Sequence, residues 1–221
     1  MTSSRLRTGT SLWLDEYSGP RFTAPKLAGR HDADVVVIGG GITGCVGYRR
    51  DRLCHGGVQA AGWAVSHVQH LRATPPLAAG QRRRLGLGDV MLWDTERPYH
   101  YGRWTADHRL LFGGRDHPRK RPTSPATLRR RTAELTADLI DLYPTARDLA
   151  PEYAWEGLFA TTPDGLPYIG SHGRYPRHLF ALGYGGNGMT FGFLAGEMLA
   201  RMIRGVAKPE DELFRFNRRV R

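Results

Sequence analysis

The sequence predicts an α/β chain, and three stretches carry that expectation. Residues 34–44 read DVVVIGGGITG, with Val35, Val36, Val37 and Ile38 standing directly before Gly39, Gly41 and Gly44. Residues 179–182 (LFAL) stand before Gly183, Gly185 and Gly188 in the same spacing, and an apolar helical pattern opens near Thr190. Between these, residues 100–105 and 110–114 are good strand formers around the turn 106–109, and a helical pattern follows from Pro125. Strands feeding helices through glycine turns at both ends argue α/β, and the hairpin and helix between them make the middle part α+β.

The elements follow in order. Residues 11–17 (SLWLDEY) form a short amphipathic segment, and residues 20–25 form a linker into the first strand. A run of four β-branched residues suits a strand buried on both faces. Gly39 then permits the tight turn, Gly41 lets backbone approach a pyrophosphate, and Gly44 lets the helix pack against the strand. The anion would rest on the helix N-terminus, where free N–H groups and the dipole favour negative charge. Past Gly44 the pattern breaks. Residues 45–87 show no sustained period, and no acid occurs between Arg52 and Gly88. The Asp or Glu that holds a ribose, expected about 20 residues past the glycines, is therefore missing. Residues 58–65 are the best strand candidate in this Arg-rich stretch, which reads as poorly ordered.

Order returns at Gly88. The hairpin around 106–109 is followed by a helix that Ser124 caps and Pro125 begins, with Leu128, Leu135, Leu139 and Leu142 on one face before Pro144. Residues 153–161 read as a strand and residues 162–165 (TPDG) as a turn. The last helix carries Phe191, Leu194, Ala195, Met198, Leu199, Met202 and Ile203 as one stripe, with Gly205 placed as a C-cap. That stripe is core. Only the glycine loop and the first helical turn are free to meet a ligand.

The bulk properties set limits. The 221 residues leave room for one or two domains, and no apolar run approaches the roughly 18 residues needed to span a bilayer. The polar opening MTSSRLRTGT lacks the apolar stretch of a secretory signal, so the cytoplasm is expected. Cys45 and Cys54 have neither C-x-x-C spacing nor a partner cluster, and read as reduced thiols. The net charge of +11 raises the question of nucleic acid, but over half of the excess lies in residues 45–87, which hold seven Arg and one acid. The clusters 82–84, 119–121 and 129–131 lack interleaved aromatics and read as solvated faces.

Together with the two glycine loops, the stretches GDVMLWDTERPYHYGRWTADHRLLFGG and TTPDGLPYIG resemble the FAD-dependent amine and amino-acid oxidases. This is the group of D-amino-acid oxidase, glycine oxidase and sarcosine oxidase, and the resemblance is nearest to bacterial oxidoreductases of the gamma-glutamylputrescine oxidase type. It covers residues 11–44 and 88–205. It implies four segments: a leader with the first strand and glycine loop of a Rossmann-like FAD domain (1–44), an anomalous segment (45–87), the hairpin and helix of an antiparallel-sheet substrate domain (88–160), and a return to the FAD domain (161–221). Family members are much longer, and residues 45–87 stand where they carry the rest of the nucleotide domain. That difference implies a truncated chain, from an internal deletion, a frameshift or a mis-joined frame, with a diverged minimal variant as the alternative.

The resemblance also implies a chemistry. FAD, bound without a covalent link, takes a hydride at N5 from the carbon beside a substrate nitrogen. The imine then hydrolyses, and oxygen reoxidises the flavin to give peroxide. Gly39, Gly40, Gly41, Ile42, Thr43 and Gly44 would hold the pyrophosphate. Gly185, Gly186, Asn187, Gly188, Met189 and Thr190 would meet the flavin ring. Tyr101 and Arg103 share one face of a strand, where a guanidinium can pair with a substrate carboxylate. Trp104 and Phe112 read as core, and the histidines show no metal-ligand spacing. The expected partner is a small amine or amino acid, with neither nucleic acid nor membrane, and the oligomeric state stays open. The alternative is a non-catalytic remnant of such an oxidase that does not hold FAD. A basic nucleic-acid binder, resting on charge alone, is the third reading.

Overall fold

A computed structural model describes residues 6–19, 65–118 and 123–218. The chain divides into two interleaved units, the first from residues 1–21 and 67–158, the second from 22–66 and 159–221. The strand and glycine loop at 34–44 lie outside the described residues.

The first unit is built on a six-stranded sheet ordered β1-β6-β2-β5-β4-β3. Its strands are β1 (Arg7–Thr8), β2 (Val65–Ala73), β3 (Leu92–Trp93), β4 (Tyr101–Trp104), β5 (Leu110–Pro118) and β6 (Tyr153–Thr161). β1 runs parallel to β6, while β2, β4 and β3 build outward from β5 as antiparallel pairs. Helix α1 (Leu12–Asp15) precedes β2, α2 (Ala79–Leu85) follows it, and α3 (Pro125–Leu142) lies between β5 and β6 in sequence. The hairpin, the long helix and the strand at 153–161 thus stand where the sequence places them. α3 lays Leu135 and Leu139 on Leu110 and Phe112 of β5, with Leu77, Leu85, Ala146 and Leu149 completing that core. Each such leucine, withdrawn from water, contributes about 1.5–3 kcal/mol. Leu12, Ala73, Leu111, Tyr153 and Trp155 form a second cluster. Trp104 and Phe112 are core residues, as read from the sequence.

The expectation of a poorly ordered segment at 45–87 is corrected from Val65 onward. β2 holds an inner position between β6 and β5, and α2 ends at Gly86 in the left-handed conformation, φ 69°. The strand lies beyond the candidate at 58–65, and its sequence VSHVQHLRA hides it. His70 and Arg72 occupy buried positions where a strand pattern calls for apolar residues. Arg72 is fully buried, and its guanidinium donates to the Leu149 carbonyl at 2.5 Å and to Thr136 Oγ1 at 3.0 Å. Burial without a carboxylate lowers its pKa to about 10.

The N-terminal segment is clasped to this sheet. Arg7 bonds Asp15 and the Tyr153 hydroxyl, and Tyr153 donates to Asp15 at 2.7 Å. Arg109 joins Asp107, Glu152 and Glu16 and donates to the Thr74 carbonyl at 3.1 Å.

The second unit pairs β7 (Tyr168–His172) with β8 (Tyr175–Leu182) as a hairpin and follows it with α4 (Gly188–Ile203). Ile169, Ala195 and Met198 are its buried centre, flanked by Leu194, Leu199, Met202 and Phe214. Arg218 fastens the chain end to the 162–167 turn: it reaches Asp164 at 2.6 and 2.8 Å, the Leu166 carbonyl at 2.6 Å and the Pro167 carbonyl at 2.9 Å, and covers the Tyr168 ring at 3.9 Å. The bonds from Arg218 hold the Asp164 carboxyl at about pKa 2. Among the described residues, no helix is long and apolar enough to cross a membrane.

Candidate functional site

Two places carry the residues singled out from the sequence, one in each unit. The first is the glycine loop of the second unit. β8 ends at Leu182, and Gly183 (φ +79°) turns the chain beside Thr162, where a Cβ would come within 2.7 Å of Thr162 Cγ2. Gly185 (φ +57°) also takes the left-handed conformation and donates its N–H to the Ala160 carbonyl at 2.8 Å. Both positions need glycine for conformational reasons. Asn187 then serves as N-cap of α4, but its side chain makes no capping bond. The first intrahelical donor is Phe191 N–H, to the Asn187 carbonyl at 3.0 Å. The N–H groups of Gly188, Met189 and Thr190 belong to the helix end that an α-helix leaves without internal partners. Gly186, Asn187, Met189 and Thr190 are exposed, and a Cβ on Gly188 would meet nothing within 4 Å. The loop therefore presents donors, a helix dipole and open space to one side, which suits an anionic or electron-rich ligand edge.

The second place is the β4–β5 pair of the first unit. Tyr101 faces Gly113 across the ladder, and a Cβ at Gly113 would collide with the Tyr101 ring and hydroxyl. Glycine here is the hollow that takes a phenol. The Tyr101 hydroxyl is buried with no hydrogen-bond partner among the described residues. Burial, reinforced by the Asp116 carboxylate, pushes it well above the ordinary phenol range. Arg103, two residues along the same strand, is exposed and stands over the Trp13 ring at 5.9 Å.

Beyond Gly113 the strand is irregular. Gly114 pairs with His70 and His117 with Val68, so Gln69 faces both Arg115 and Asp116, a β-bulge. Arg115 takes φ 54°, a strained conformation for a side chain of its size. It sends its guanidinium to Asp138 and Glu134 on α3. Burial works to raise the Asp138 carboxyl, but the bonds from Arg115 outweigh it and leave its pKa below the ordinary value. His100 also closes on α3, with Nδ1 2.7 Å from Asp94 and Nε2 3.2 Å from Asp138. Asp116, by contrast, acts on Tyr99 and Tyr101. The sequence reading did not include Asp116 among candidates. The signal was Gly113-Gly114 inside a strand pattern, which marks a bulge or a close approach.

A cavity of about 110 Å³ opens between β4 and the end of α3, walled by Leu87, Trp93, Trp104, Phe112, Leu142 and Tyr143. It is apolar. Among the described residues, no cluster of His, Cys, Asp and Glu is placed to hold a metal ion.

Known proteins share these elements. Gamma-glutamylputrescine oxidoreductase of Escherichia coli (strain K12) is 32% identical over 113 residues, which is 50% of this chain and 24% of that protein. Glycine oxidase of Bacillus licheniformis is 39% identical over 72 residues, 33% of this chain and 20% of the oxidase. The solved structure of L-proline dehydrogenase from P. horikoshii superposes with a TM-score of 0.57 at 21% identity, covering 72% of this chain and 41% of its own. The chain thus spans a fifth to a quarter of these curated relatives, and about two-fifths of the solved dehydrogenase. The model of the family described as FAD dependent oxidoreductase (DAO) matches residues 59–202. That span takes in β2 and α2, so residues 59–87 are family sequence and not an insertion of foreign character; it begins after the first glycine loop. With well over half of its length matched, the chain belongs to the DAO family of FAD-dependent oxidoreductases.

Proposed function

We propose that this chain is a cytoplasmic flavoprotein that holds FAD non-covalently and oxidises a C–N bond of an amine or amino acid, with oxygen as acceptor and imine and peroxide as products. The observation that carries the reading is the α4 N-terminus: an uncapped, exposed helix end behind a glycine turn. Residues there fit a flavin edge. Gly185, Gly186, Asn187, Gly188, Met189 and Thr190 would offer backbone N–H groups to it, and the positive end of α4 would favour charge developing on it. When bound, the flavin supplies the hydride acceptor. Gly39, Gly40, Gly41, Ile42, Thr43 and Gly44 are assigned the pyrophosphate on their spacing. Tyr101 and Arg103 are the side chains proposed to meet the substrate.

Purified protein tests the reading by titration with FAD, followed by flavin absorbance and melting temperature. A ligand that binds only the folded state raises the melting temperature. Binding is expected, and Gly188→Val, which fills open space at the first turn of α4, is expected to weaken it at least about tenfold while leaving the unfolding curve of the free protein in place. Colourless protein whose melting temperature ignores FAD overturns the reading in favour of a remnant that does not hold the cofactor.

A further inference from the structure

Asp116 is a half-buried carboxylate with an incomplete set of partners. Gln69 bonds one side of it, and the charge of His67 acts on it, but its Oδ1 is shielded from water and has no hydrogen-bond partner among the described residues. The Tyr101 hydroxyl nearby is in the same condition. Two buried, unpaired oxygens in one place are costly, since each forfeits its hydration without a replacement bond. The backbone is bent to create the arrangement: Gly113 makes the hollow for the Tyr101 ring, and the bulge at Arg115 and Asp116, with Arg115 strained to φ 54°, separates the guanidinium from the carboxylate. Bulges that re-aim a side chain recur beside binding sites, and strain of this kind persists where surroundings enforce it.

The chemistry of the place is that of a cation seat. Tyr99 and Tyr101 stand with ring centroids 6.1 Å apart and tilted by 51°, and Tyr99 is 40% exposed. The nearest guanidinium in sequence, Arg115, is committed to α3. Burial raises the Asp116 carboxyl above its ordinary value, the direction expected of a carboxylate without a full cationic partner. Phenol faces attract alkylammonium ions, and a carboxylate completes their recognition.

We propose that Asp116, framed by Tyr99 and Tyr101, binds a protonated alkylammonium group. Joined to the oxidase reading, on which it depends, the assignment names a substrate class: an amine with a second, cationic nitrogen. The nitrogen held by Asp116 stays protonated, and its lone pair is unavailable to assist hydride loss, so it is a handle and the reacting nitrogen is another one.

The test uses the whole chain and n-butylammonium chloride, titrated by NMR or calorimetry, with sodium butyrate and n-butanol as controls. Butylammonium is expected to bind in preference to both controls, and Asp116→Asn, which keeps shape and the bond to Gln69, to lose about tenfold or more in affinity. Tyr101→Phe is expected to lose about twofold to threefold, since the ring remains. Wild-type protein that does not prefer butylammonium over butanol overturns the proposal whatever the variants do, and so does an unaltered affinity in folded Asp116→Asn. The FAD titration separates the two readings. FAD binding without ammonium preference removes only the cation seat, whereas Asp116-dependent ammonium binding without FAD binding removes only the oxidase.

Discussion

Helices α3 and α4 are close in length, 18 and 16 residues, and each packs an apolar side into a core, yet they begin in opposite ways. α3 starts closed. Ser124 accepts a bond from Thr127 N–H at 3.2 Å, and Pro125 takes the first position, where no N–H is missed. α4 starts open: Asn187 gives no side-chain bond, and two left-handed glycines bring the chain in behind it. The start of α3 is satisfied by its own side chain, and that of α4 is not. A bare helix start leaves backbone N–H groups open to a ligand, and on the function proposed above that ligand is the flavin.

The contrast can be broken most severely through the packing of α3. Leu139 is 1% exposed against Leu110 and Phe112, so Leu139→Ala is expected to cost about 3 kcal/mol of stability, read from chemical denaturation. Next is the clasp of the second unit. Arg218→Ala removes the bonds to Asp164 and two carbonyls and should cost about 2 kcal/mol. Because Asp164 is held at about 2, below the ordinary carboxylate, its contribution is complete above that ordinary value and is lost as pH falls through the folded value. Melting temperatures should therefore drop between about pH 4 and pH 2 in the parent, and this step should shrink in Arg218→Ala. The finest contrast compares the caps directly. Ser124→Ala is expected to lose about 1 kcal/mol. Asn187→Asp is expected to gain about 0.5 kcal/mol from the α4 dipole while weakening FAD, since a carboxylate would stand at the helix end proposed to meet the flavin. A cap at 187 that improved both stability and FAD binding would show the open end to be incidental.

How far the sequence reached follows from the same contrast. α3, the β4–β5 pair, β6 and α4 were legible because local rules decide them: a Ser-Pro start, leucines at helical spacing, alternation around a polar turn. β2 was not, because His70 and Arg72 take buried positions that only the Leu149 carbonyl and Thr136, far along the chain, make tolerable for the guanidinium. β7 was hidden for a related reason: Gly170 and Ser171 interrupt its pattern, and Gly170 is there to meet Met202 of α4. At the candidate sites, spacing alone marked the glycines at 183, 185 and 188, and at 183 and 185 the left-handed conformation accounts for the residue type. Asp116 was illegible because its direction depends on a bulge, which shifts the face that every later side chain occupies.

The interleaving of the two units has a consequence for how the chain is made. A ribosome delivers Arg7 and Leu12 early, but their partners Tyr153 and Trp155 emerge some 140 residues later, so the first sheet is incomplete until they have left the exit tunnel. The second unit draws on residues 22–66 and 159–221, and must wait longer still. Vectorial synthesis therefore leaves strands and apolar faces unsatisfied until those later segments appear, and closing such distant segments makes maturation slow relative to helical bundles of the same size.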